Sequence, residues 1–250
     1  MSLNYTRFDC GPIRPLFPKI RAGTYCLLLE TNQGGLLIDS GYGIDDFKHP
    51  DWKTRIFTNY IRTPRNPKLC LINQLRSNGN DPHSVNHIIL THMHLDHAGG
   101  VADFPWVTVH VLQTEFQAAT QHHGRLGIGY LPRQWQQHKH WHFYDPPDTT
   151  WFGFKAITLK GFEPQIFLIP TPGHTLGHCM VAFGDGEKWV LQTGSAGFPF
   201  YQKDKQGSIQ IPGFFQRWAM GPYLSPLKQL YRDHSEQIIF LSGHEFERRK

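Results

Sequence analysis

Thr91-His92-Met93-His94-Leu95-Asp96-His97-Ala98-Gly99-Gly100, directly after the short run His87-Ile88-Ile89-Leu90, decides how this chain is read. The run has the length and composition of a buried strand. In an extended chain, side chains two residues apart point to the same side at about 6.6 Å. His92 and His94 can therefore bend toward one point and share a metal ion. Asp96 continues the series, and His97 begins a helical turn that aims it differently, so two adjacent metal sites fit the spacing. A lone His-x-His is as well explained by structure. His-x-His-x-Asp-His closed by Ala-Gly-Gly, straight after an apolar strand, is far more specific.

Working outward, residues 24–31 and 35–39 read as an extended hairpin that ends in the turn-rich Ser40-Gly41-Tyr42-Gly43. A helix is predicted over 67–77, capped by Asn66, opened by Pro67 and stopped by Gly79, with Leu69, Leu71, Ile72 and Leu75 as its apolar face. After the histidine motif come a strand over 107–112 and a helix opened by Thr114. Strands over 151–159 and 165–169, a loop over 170–178, and a hairpin of 179–183 with 188–192 follow. A helix over 225–234 and a strand over 237–241 lead to Ser242-Gly243-His244. In both halves, strand ends deliver histidines into loops.

Composition sets the outer bounds. With 250 residues, 39% of them hydrophobic, the chain has enough apolar material for a large core, and disorder is excluded as the default. A chain of this length buries about 70 to 75% of its unfolded surface, so a metal is not needed merely to hold it together. Glycine and proline punctuate the sequence without forming a linker, and one domain over residues 1–250 is expected. No apolar run reaches the roughly 20 residues of a membrane helix, and the N-terminus lacks an export pattern, so a cytoplasmic protein is expected. Cys10, Cys26, Cys70 and Cys179 form no Cys-x-x-Cys pair and read as buried free thiols. The net charge of +5 is dispersed and selects no nucleic-acid partner. The outlier is histidine, with 16 residues unevenly spread.

The motif at 91–100 resembles the signature of the metallo-β-lactamase superfamily. Thr171-Pro172-Gly173-His174-Thr175-Leu176-Gly177-His178 and Leu241-Ser242-Gly243-His244 look like the loops that bring that family its remaining ligands, and Leu37-Ile38-Asp39-Ser40-Gly41 resembles its early strand. The resemblance runs from about residue 24 to 244. It implies an α/β fold, an αββα sandwich of two mixed sheets flanked by helices, with the metal site along one sheet edge. Position by position it implies His92, His94 and His174 around a first ion, and Asp96, His97 and His244 around a second. Asp39 would support the site from behind the ligands. Zinc is the default metal, two per chain, and its bound water has a pKa near 7, which makes hydroxide available to attack a carbonyl. Asp96 would orient that water and carry its proton to the leaving group.

One position departs from the commonest pattern. The bridging aspartate that follows Thr-Gly in most di-metal hydrolases of the family is Ser195 here, after Leu191-Gln192-Thr193-Gly194. A neutral hydroxyl is a poor zinc ligand, so the cluster should be more electrophilic and the second ion less firmly held. The ligand set resembles B3-type metallo-β-lactamases, while the helical insertion over 45–79 resembles acyl-homoserine lactonases. Lactonases carry a tyrosine three residues after the bridging aspartate; that position is Phe198 here, with Tyr201 close by. The expected activity is opening of a cyclic ester or amide on a small molecule. The alternatives are a phosphodiesterase or ribonuclease-type hydrolase, a mononuclear iron sulfur dioxygenase, and a metal-binding module without turnover.

The remaining histidines read as structural or exposed: His138, His140 and His142 on a half-exposed segment, His122 and His123 in a polar turn, and His178 as a hydrogen-bonding residue of its loop. The aromatic stretches 198–201 and 212–218 read as a candidate substrate wall, with Phe198 and Tyr201 as pocket residues, and Phe198, Phe200, Phe214 and Trp218 also as a face for a homodimer.

Overall fold

Apolar side chains alternate along the strands in a way that builds two sheets around a shared core. The computed structural model describes residues 3–16, 21–121, 129–196 and 223–245. The first sheet runs in chain order through β1 (Tyr5–Ile13), β2 (Ala22–Thr31), β3 (Gly34–Ile38), β4 (Val85–Ile89), β5 (Thr108–Leu112) and β6 (Trp141–Tyr144). Its first three strands are antiparallel, and β3 to β6 are parallel. The second contains β7 (Thr149–Trp151), β8 (Phe154–Thr158), β9 (Gln165–Pro170), β10 (Cys179–Gly184), β11 (Trp189–Gln192) and β12 (Ile238–Leu241). It is ordered β12-β11-β10-β9-β8-β7 and is antiparallel except between β11 and β12.

Register explains the layers. Leu28 lies opposite Leu37, Leu37 opposite Ile88, and Ile88 opposite Val109, which makes one apolar row across the first sheet. That row clusters with Leu71, Ile72 and Leu75 of α3 (Leu71–Ser77) and with Ala118 and Ala119 of the helix Gln113–Gln121. One residue along, Leu27, Ile38 and Ile89 point the other way, as the twofold period of a strand requires. They meet Leu168, Val181 and Val190 of the second sheet. The far face of that sheet, with Met180, Ala182 and Leu191, packs against Leu227 and Leu230 of the helix Leu224–His234. The result is an αββα sandwich of two mixed sheets. Two further helices, α1 (Ile44–Lys48) and α2 (Trp52–Ile61), join a separate cluster in which Tyr42, Phe47 and Ile61 meet Leu95 and Leu131.

Three elements differ from the sequence expectation. The predicted helix over 67–77 is split: Asn66 caps a 3₁₀ turn at Pro67–Leu69, Cys70 is extended, and α3 begins at Leu71. Side-chain amides account for the break, because Asn73 Nδ2 donates to the Pro67 carbonyl and Gln74 Nε2 to that of Leu69, taking acceptors a continuous helix would use. The strand predicted over 151–159 is a hairpin, turned by Phe152 at φ +44° and Gly153 at φ +82°. β1 was not anticipated. It is an edge strand with exposed Asp9, a register shift between Asp9 and Gly11, and Pro12, a residue tolerated in sheets mainly at edges. All four cysteines are buried and free, as expected. Among the described residues no helix is long and apolar enough to cross a membrane.

Candidate metal centre

The loops that follow β3, β4, β9, β11 and β12 converge at one end of the sandwich, where open α/β sheets place their ligands. The loop after β4 carries His92 and His94, the latter in extended backbone, then turns into α4 (Leu95–Ala98), which holds Asp96 and His97. The loop between β9 and β10 brings His174. The loop after β12 brings His244, and backbone bonds fix it: Gly243 accepts from Tyr25 N at 2.8 Å and donates to Gly194 O at 3.0 Å, and Glu245 O accepts from Gly23 N at 2.9 Å.

Two groups of three result. The ligand atoms of His92, His94 and His174 lie within 4.8 Å of one another, and so do those of Asp96, His97 and His244. His94 Nδ1 and His174 Nε2 stand 3.1 Å apart, as do His97 Nε2 and His244 Nε2. Two imidazole nitrogens bound to one tetrahedral zinc at 2.0–2.1 Å would be separated by about 3.3 Å. The groups adjoin, with the His92 and His97 ring centroids 4.0 Å apart. Asp96 Oδ2 lies 3.8 Å from His97 Nε2 and 3.7 Å from His244 Nε2.

Asp39, in the left-handed region at φ +60°, orients members of both groups. Its carboxylate accepts from the backbone N–H and the hydroxyl of Thr91 at 2.8 to 3.0 Å, and from His97 Nδ1 at 2.8 Å. Because the Thr91 proton goes to Asp39, Thr91 Oγ1 is left to accept from His92 Nδ1 at 3.1 Å. That fixes both tautomers. His92 and His97 each present the Nε2 lone pair to the centre, and His92 Nε2 is buried with no hydrogen-bond partner among the described residues.

Burial, reinforced by the neighbouring imidazoles, pushes His92 and His174 well below the ordinary histidine range and His244 down to about 4. They are neutral at pH 7, the form a metal requires. Burial also disfavours the charged form of His97, yet Asp39 and Asp96 outweigh it and raise its pKa. Asp96 is buried too, and His97, His244 and His94 overcome that cost to hold its carboxyl low. The donor set of five imidazoles and one carboxylate, with an orphaned nitrogen at its centre, fits a pair of borderline divalent ions.

The metallo-beta-lactamase superfamily model matches residues 21–220. The chain belongs to the metallo-β-lactamase superfamily. It is a metal-dependent hydrolase of that superfamily. A probable metallo-hydrolase of Mycobacterium tuberculosis is 33% identical over 220 residues, covering 87% of this chain and 69% of the relative. An N-acyl homoserine lactonase of Bacillus thuringiensis is 25% identical over 230 residues, 90% of this chain and 82% of the relative. Among solved structures, a probable metal-dependent hydrolase from Staphylococcus aureus superposes with a TM-score of 0.72 at 16% identity, covering 98% of this chain and 91% of the other. An N-acyl homoserine lactone hydrolase with N-hexanoyl-L-homoserine at its catalytic metal centre gives 0.68 at 22% identity, covering 98% and 94%. At these identities the structural likeness is one of fold.

Within this superfamily signature, the six expected ligand residues and Asp39 lie together. Ser195 is buried beside them, its Oγ 3.4 Å from His97 Nε2. His178 has both ring nitrogens engaged, Nε2 accepting from Ser195 N at 3.1 Å and Nδ1 facing Thr171 Oγ1 at 2.9 Å. Burial lowers its pKa to about 3. Phe198, Tyr201 and the aromatic wall lie outside the described residues, as do His122 and His123. Sequence reasoning missed the role of Thr91, although it lies in the quoted motif, and missed Glu115 entirely. Glu115 is buried and accepts four hydrogen bonds, from Met93 N, Tyr130 Oη, Thr175 Oγ1 and Gly177 N. Burial raises its pKa, and those four donors oppose the shift. An acidic residue in a first helical turn carries no sequence signal beyond ordinary favourable dipole placement.

Proposed function

We propose that this hydrolase holds two zinc ions, one at His92, His94 and His174 and one at Asp96, His97 and His244, and opens a cyclic ester or amide of a small molecule. The observation that carries the reading is the pair of adjoining three-residue groups built from five imidazoles and one ionised carboxylate. Bound there, divalent ions supply Lewis acidity and lower the pKa of a coordinated water to about 7. The chain's own contribution is orientation and proton transfer. Thr91 and Asp39 hold His92 and His97 in the ligating tautomer. Asp96, kept ionised by its imidazole neighbours, takes a proton from the attacking water. As the carbonyl carbon gains the new C–O bond and the ring bond breaks, Asp96 returns that proton to the departing oxygen or nitrogen.

The lactone reading is supported by the Bacillus thuringiensis relative, an N-acyl homoserine lactonase, and by a fold neighbour described as a dizinc quorum-quenching lactonase. The test is a hydrolysis screen of the zinc-replete protein over lactones, lactams, thioesters and phosphodiesters, with metal content measured in parallel. Lactone opening with about two equivalents of zinc is expected. His92→Ala should remove the first ion and activity together, whereas His97→Ala should spare the first ion and weaken the second. Hydrolysis confined to phosphodiesters, or one equivalent of iron, would overturn the proposal.

A further inference from the structure

We infer that Glu115 is the positioning residue of the first group, a single buried carboxylate that fastens the loop of His92 and His94 to the loop of His174. The inference rests on the metal reading of those three histidines. Glu115 Oε1 accepts from Met93 N at 2.8 Å and from Tyr130 Oη at 3.2 Å. Met93 is the residue between the two histidines, and the Tyr130 ring lies 5.2 Å from that of His94, to which it is joined by an isolated bridge. Glu115 Oε2 accepts from Thr175 Oγ1 at 2.7 Å and from Gly177 N at 3.1 Å. Thr175 immediately follows His174. One oxygen thus serves the first loop and the other serves the second.

A second, independent feature locks the same junction. A Cβ on Gly177 would stand 2.1 Å from the backbone nitrogen of Glu115 and 2.5 Å from its Cα. The His174 loop is therefore pressed against the first turn of the helix that carries the carboxylate, a fit that only glycine permits. All four partners are donors, so the position calls for an acceptor at both oxygens. Glutamine cannot supply this. With its NH₂ at one end, either Met93 N or Gly177 N faces another donor, and one of the two loops is released. The four hydrogen bonds Glu115 accepts all come from the first group's loops and from Tyr130 beside His94, and it reaches the second group only through its charge, the smallest of the named influences on His97, so the effect should fall mainly on the first site.

The test measures stepwise metal affinity rather than turnover. Metal-free wild type and variants are titrated with Co²⁺ against a competing chelator, and the two steps are assigned by which one His174→Ala and which one His244→Ala removes. Glu115→Gln should weaken the first-site step by about tenfold to a hundredfold, the usual penalty for losing support behind a ligand, and leave the second within about twofold. Thr175→Val, which deletes one of the four bonds, should shift the same step in the same direction by less, and it provides the readout if Glu115→Gln does not fold. If the folded variants bind at the first site as wild type does, or lose both sites equally, Glu115 has no such role while the metal reading stands. If wild type shows no step that His174→Ala removes, the metal reading falls and the inference with it.

Discussion

Asp39 adopts a left-handed backbone at φ +60°, a conformation that aspartate tolerates better than most residues, and this lets one carboxylate reach both Thr91 and His97. Ser195 sits on the opposite side of the same imidazole, its Oγ 3.4 Å from His97 Nε2. Ser195→Asp adds a negative charge beside the second group. Its expected effect is a second ion bound at least about tenfold more tightly in chelator competition, because a carboxylate is a far better ligand than a hydroxyl. Unchanged affinity would mean that position 195 does not reach the metal. The contrast between these residues and Glu115 marks the limit of legibility. His92, His94, Asp96 and His97 announce themselves because their spacing within six residues is itself the geometry. The partners of Glu115 come from positions 93, 130, 175 and 177, and only the fold brings them to one carboxylate. Nothing in the local sequence of Gln113–Gln121 distinguishes it from an ordinary amphipathic helix opening.

At the scale of elements, strands buried on both faces were the most readable, since runs such as Cys26-Leu27-Leu28-Leu29 leave little choice of environment. Boundaries decided by side-chain hydrogen bonds were not, as the break at Cys70 shows. Neither was β1, whose exposed polar positions and Pro12 disguise an edge strand. The row Leu28, Leu37, Ile88 and Val109 ties β2 through β5 to the outer helices, and β3 within it leads directly to Asp39. Leu37 is fully buried. Leu37→Ala should cost about 2–5 kcal/mol, combining lost apolar transfer with an unfilled cavity. Urea unfolding should show this as a lower midpoint at unchanged slope. A loss below about 1 kcal/mol would mean that the sheet relaxes into the gap.

Across the whole molecule, the surface between the two sheets is not purely apolar. The inward row that contains Leu27, Ile38 and Ile89 continues in register to His110, which is only 3% exposed. Both its ring nitrogens are engaged, Nε2 with His87 Nδ1 at 3.0 Å and Nδ1 with Tyr144 Oη at 2.8 Å. Burial, with help from His87 and His142, lowers its pKa to about 3. An unfolded histidine titrates near 6.5, so between these values the unfolded chain binds a proton that the folded chain does not. Stability must then rise with pH across this window and fall as the solution is acidified from about 6.5 toward 3. At pH 5 the penalty from this residue alone is about 2 kcal/mol. Urea unfolding of the metal-free protein at pH 7 and pH 5 should therefore show a drop in stability that is smaller by about that amount in His110→Gln than in wild type. Equal drops would mean that His110 takes up its proton within the fold. Because His110 lies in the sheet interior and its ring bonds to His87 and Tyr144, neither of them a ligand residue, this acid sensitivity would belong to the sandwich itself and would persist whatever occupies the metal centre.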